Sequence, residues 1–142
     1  MHYGLLYFNF NNMSKPYDHS KISNEISYDL KYFMTPFSDV IYGDFGGYGS
    51  NMLENRKVFN SVKNLITENI LIVLLHSINP ATRLCAAEFY FNNKSNFKRR
   101  SFIEKLIEMN FKALPKIDTM SGCIQFNEDA KKVLTQMISK RK

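Results

Sequence analysis

Apolar positions set most of the expected elements along this chain. Ile22, Ile26, Leu30 and Phe33 recur at the spacing of one helix face. That predicts a first helix over 21–34, with Ser20 or Ser23 as its cap and an end before Pro36. Val58, Phe59, Val62, Leu65 and Ile66 make one stripe of an amphipathic helix over 54–66, broken by Thr67-Glu68-Asn69. Ile70 to Leu75 is an unbroken apolar run that periodicity alone reads equally as a buried strand or a buried helix. Its place just before Asn79-Pro80 favours a helix, because Asn79 can cap a helix start and Pro80 fits the first helical position. The helix expected over 80–91 is small or apolar on most faces, so it belongs among other helices. After a turn at 92–96, a helix over about 97–111 turns Phe102, Ile103, Leu106 and Ile107 inward. The short connections make neighbouring helices antiparallel.

Pattern weakens at both ends. Residues 2–10 alternate imperfectly and read as a strand or as an arm packed on the body, followed by a polar loop to Ser20. Two short extended runs flank Ser121-Gly122, which suggests a hairpin near 117–126. Asn127 is then the expected cap of a last helix carrying Ala130, Val133, Leu134, Met137 and Ile138. Glu128 and Asp129 suit the positive end of that helix and Lys140-Arg141-Lys142 its negative end.

Asn79-Pro80-Ala81-Thr82-Arg83-Leu84-Cys85-Ala86-Ala87-Glu88 resembles the start of the second helix of a HEAT-type α-helical repeat. Asn79, Pro80, Arg83, Ala86 and Ala87 match that pattern, while Thr82 stands where a Val is usual. The resemblance covers roughly Glu54 to Phe111 and implies stacked helical hairpins, in which Arg83 ties neighbouring repeats together. It carries no activity. A looser similarity, of Asn79 to Leu84 followed by Ser121-Gly122-Cys123, runs to short bacterial proteins. The expected fold is mainly α: a compact HEAT-like helical-hairpin bundle with a minor extended element near 117–126. It is one domain over 1–142, divided into an arm over 1–20, a helical core over 21–111, and a short extended turn with a C-terminal helix over 112–142.

Composition changes this picture little. With 44% hydrophobic residues, 12 Phe and 8 Tyr, the chain can build a core. Its two cysteines, Cys85 and Cys123, are too sparse for a disulfide scaffold. No run approaches the roughly 18 apolar residues that span a bilayer, and the first ten residues lack signal-peptide features. A cytoplasmic, reduced setting without membrane association is the expectation. The net charge of +6 raises the chance of an acidic partner.

Candidate chemistry is thin. The glycines at 43, 46, 47 and 49 lack the Gly-Lys-Ser/Thr of a phosphate loop and the spacing of a dinucleotide fingerprint. They read as a turned connection, with Tyr42, Phe45 and Tyr48 as candidate loop contacts. Three scattered histidines and no C-x-x-C leave no metal expected, and no cofactor either. Cys123 beside Gly122 is the best nucleophile candidate, with His76 as a distant base. Glu104 and Glu108 read as surface charge beside Lys105 and Lys112. Arg83 is the sharpest polar residue, because a guanidinium in an apolar helix must find acceptors. Lys94, Lys98, Arg99, Arg100 and Lys105, interleaved with Phe97 and Phe102, form a candidate binding surface. The preferred expectation is a non-enzymatic module, adaptor or immunity-like, that binds a protein partner. The alternative is a nucleic-acid-binding protein using 94–105 and the Lys140–Lys142 tail.

Overall fold

In the computed structural model, residues 27–46 and 51–140 are described. The fold is mainly α with minor strand elements, as the apolar pattern predicts. α1 (Tyr28–Met34) starts at Ser27, whose side chain accepts from Leu30 N–H, and buries Leu30, Phe33 and Met34. The expected helix stretch 21–26 and the arm over 1–20 lie outside the described residues. A 3-10 turn at Pro36–Ser38 leads into a short antiparallel ribbon of β1 (Phe45–Gly46) and β2 (Asn51–Met52). Strands of two residues leave no periodicity to read, so the pattern did not announce them.

α2 (Glu54–Val62) runs into a 3-10 turn at Lys63–Leu65. The turn ends the apolar stripe early: Leu65 is exposed, against expectation, because the 3-10 segment advances three residues per turn and rotates it off the face. α3 (Glu68–Leu74) is capped by Thr67, which accepts from Ile70 N–H, and Ile70 through Leu74 are all buried. The ambiguous apolar run is therefore a buried helix.

α4 (Pro80–Asn92) is the central element, packed against α2, α3 and the C-terminal helix. Its cap is Asn79, whose side-chain oxygen accepts from the N–H groups of Ala81 and Thr82. The same side chain's amide donates to the carbonyls of Thr35 at 2.9 Å and Asp39 at 2.7 Å. One residue thus starts the central helix and anchors the turn after α1. α5 (Arg100–Ala113) begins three residues later than the pattern suggests and buries Ile103, Leu106 and Ile107.

β3 (Lys116–Ser121) and β4 (Ile124–Asp129) form an antiparallel hairpin, in register from Lys116 opposite Asp129 to Ser121 opposite Ile124. Gly122 opens its two-residue turn at φ +57°, where a side chain is disfavoured. α6 (Ala130–Lys140) follows at once. Asn127 does not cap it. Asn127 sits in β4 opposite Asp118, and the cap contact comes from Asp129, whose carboxylate accepts from Lys132 N–H at 2.9 Å. The acidic pair expected to suit the helix start includes its cap. Tyr42 N–H donates to Asp118 O at 2.9 Å, which lays the ribbon against β3. A Cβ on Gly46 would fall 2.8 Å from Met120 Cβ, so glycine is what lets β1 approach β3 so closely.

Candidate functional site

The inward face of α2 carries Asn55 and Arg56 alongside Phe59 and Val62, all buried. Opposite them, α4 buries Thr82, Cys85 and Glu88. The seam between the two helices is therefore polar, and it is satisfied from both sides. The Asn55 amide donates to Ser38 Oγ at 3.2 Å and Thr82 Oγ1 at 3.1 Å, and its oxygen accepts from Cys85 Sγ. One turn on, Arg56 forks onto Glu88 with Nη1–Oε2 at 2.9 Å and Nη2–Oε1 at 2.8 Å. Arg56 Nε reaches Gly43 O and Asp44 Oδ1, each at 3.2 Å. Tyr42 donates its hydroxyl to Glu88, and the guanidinium lies 5.5 Å from the Tyr42 ring centroid and 5.1 Å from that of Phe59.

Arg56 and Glu88 are 2% and 1% exposed. Taking both charges out of water is costly, so the geometry has to be bidentate, as it is here, with Nε answered as well. Burial works against the Arg56 charge, yet its hydrogen bonds to Glu88 and the charge of that carboxylate raise its pKa. Burial, with Glu88 beside it, pushes the Tyr42 phenol well up, so it remains a donor.

This charged centre lies under a cleft of about 550 Å³. The far side of β1 borders a second recess of about 390 Å³, between the ribbon, the β3–β4 hairpin and α6. Its walls include Phe45, Met120, Phe126, Val133 and Met137. Phe45 is 53% exposed, Phe126 44% and Ile124, at the hairpin tip, 62%. All six residues of β4 are exposed, making it the outer strand of the hairpin.

The sequence-selected residues fall in several places. Of the loop contacts, Tyr42 is buried in the charged centre, Phe45 stands exposed between the two recesses, and Tyr48 lies outside the described residues. The basic cluster is exposed along the α4–α5 connection and the start of α5, but two of its members hold the scaffold together. Arg99 Nε meets Glu68 Oε2 at 2.8 Å and its Nη2 meets Asn69 at 2.8 Å, while Glu68 also accepts from the backbone N–H of Lys98 and Arg99. These bonds from Arg99 and the two N–H groups outweigh the opposing effect of burial and hold the Glu68 carboxyl below its usual range. Lys94 pairs with Glu104 at 3.3 Å. Glu104 is more than surface charge, since the buried Tyr90 also donates to it and lowers its pKa. The Lys140 side chain, Arg141 and Lys142 lie outside the described residues.

Arg83 is 4% exposed and donates to the Ser77 carbonyl, within the turn that precedes its own helix. Burial pushes its pKa down to about 9. His76 is buried with Nδ1 2.8 Å from Ile72 O, whereas Cys123 is exposed at the hairpin turn. Cys85 is a buried thiol in the polar seam. Among the described residues, no group of His, Cys, Asp and Glu could hold a metal, and no helix is long and apolar enough to cross a membrane. Arg56, Glu88 and Asn55 escaped the sequence reading. The one signal available was two polar residues, Asn55-Arg56, three and four positions ahead of Phe59, on the stripe itself. The chain matches no family model, no curated protein and no solved structure.

Proposed function

We propose that the protein is a non-enzymatic helical binding module, adaptor or immunity-like, whose partner is another protein and which works in the cytoplasm. The observation that carries this reading is the recess between the ribbon, the hairpin and α6. There Phe45 and Phe126 stand exposed beside the half-buried Met120, Val133 and Met137, with Ile124 beyond them at the tip. An exposed apolar surface of this kind is what a protein interface uses, aromatics provide the anchors, and methionines adapt to a partner's shape. The outer strand β4 lies alongside and offers a backbone edge to pair with.

One feature favours this over nucleic-acid binding and another over catalysis. Arg99 and Lys94 already serve Glu68 and Glu104, which takes part of the basic cluster's charge away from any phosphate. The interior charges likewise serve one another, Arg56 with Glu88, as a scaffold rather than a reacting set.

A photo-crosslinking residue placed at Ile124 and, separately, at Lys105 tests the proposal in native lysate. The expected result is one dominant protein adduct at 124 that survives high salt and nuclease and disappears with Phe126→Asp. Adducts only at 105, lost at high salt or with nuclease, would establish the nucleic-acid reading instead.

A further inference from the structure

We propose that the cleft between α2, the C-terminal end of α4 and the ribbon is a binding site for a neutral saccharide. The reading is independent of the hairpin recess and uses none of its apolar side chains except the shared edge at Phe45. A volume of about 550 Å³ falls within the range of pockets that hold small molecules.

The charges on its walls select the ligand class first. Among the described residues of its walls, two cations, Arg56 and Lys63, balance two carboxylates, Glu88 and Asp44, and Arg56 is paired with both carboxylates. An anionic ligand would find Arg56 already committed to Glu88 and Asp44, and would meet the negative end of the α4 dipole at Asn92. A strongly cationic one would face Lys63 and the same guanidinium. A neutral ligand meets no such opposition.

Hydrogen-bonding groups select next. Asn60, Asn64, Asn92 and Asn93 bring four carboxamides to the cleft, from two helix ends that face each other across it. Each carboxamide both donates and accepts, which suits hydroxyl groups, since these do the same. Asp44 adds a fixed acceptor, held by Arg56 Nε at 3.2 Å and only 14% exposed. Aromatic side chains complete the class. The exposed Phe45 and the half-buried Phe89 also line the cleft, and such rings suit a flat C–H face, while the Phe59 ring is already taken by Arg56 and Phe33. A neutral molecule with many hydroxyls and one apolar face is a pyranose.

Saturation-transfer NMR and calorimetry on the full chain test this with the methyl glycosides of glucose, galactose, mannose and N-acetylglucosamine. ATP and spermidine serve as the anionic and cationic comparisons. At least one glycoside is expected to bind, with transfer strongest at its ring C–H protons. Asn64→Ala and Asn92→Ala should each weaken binding about tenfold, as for one lost hydrogen bond. Both side chains are exposed, so the melting temperature should hold. Silence from all four glycosides would overturn the proposal. So would binding of ATP or spermidine in their place, or glycoside binding that both variants leave unchanged.

Discussion

Arg56 and Arg83 are both almost fully buried, at 2% and 4% exposed, and they are held in opposite ways. Arg56 forks onto a buried carboxylate and is stacked between two rings, and its pKa rises. Arg83 donates to a backbone carbonyl, and burial drives its pKa down to about 9. Equal burial therefore does not mean equal roles. A charge answered by a charge becomes a joint whose halves depend on each other. A buried charge whose pKa falls carries its desolvation as a cost.

The sharpest way to break this contrast is Arg56→Met, which strands Glu88 as a buried charge. A loss of about 3–5 kcal/mol is expected by chemical denaturation. The double variant Arg56→Met/Glu88→Leu should recover most of that loss, because it removes both desolvation costs. If the double variant is no better than the single one, the pair acts through packing and not charge. Next in size is Asn79→Ala, which removes a helix cap and leaves the buried carbonyl of Thr35 and the half-buried one of Asp39 without that donor. About 3 kcal/mol is expected, read the same way.

An exposed pairing extends the comparison. Glu68 holds Arg99 and the start of α5 with a folded-state pKa below its ordinary value of 4.5. A lowered folded pKa means the folded state releases that proton more readily than the unfolded one. Its stabilisation is therefore present above pH 4.5 and is lost as pH falls through the folded value. Glu68→Gln should lower the melting temperature by a few degrees at pH 7, for a cost of about 1 kcal/mol, and make a smaller difference at pH 3. An equal drop at both pH values would remove the charge from the account. The smallest effect belongs to Arg83→Met. A change within about 1 kcal/mol, of either sign, is expected at pH 7, because the contacts of Arg83 and its desolvation cost are lost together. A loss as large as that of Arg56→Met would erase the contrast.

The sequence singles out Arg83 and draws no attention to Arg56. Arg83 stood out because its helix is otherwise apolar, and its burial was foreseen, but its contact is with the turn before its own helix. Arg56 carries no such local signal, since its acceptors lie on other elements, Glu88 being 32 residues away. Leu65 failed in the same way, because a 3-10 turn that no local residue announces rotated it outward. Asn127 was a plausible cap by composition, and strand pairing with Asp118 claimed it first.

By itself the sequence determined the α class, the helix in the ambiguous 70–75 run, the Asn79-Pro80 start of the central helix and the hairpin around Gly122. Those features follow from capping, periodicity and turn geometry, all of which act within a few residues. Only the tertiary structure decided which polar residues on α2 and α4 turn inward to meet, and how β1 comes to stand between a polar cleft and an apolar recess. Those outcomes depend on partners from distant segments, and a buried charge reveals its role only when its acceptor is in view.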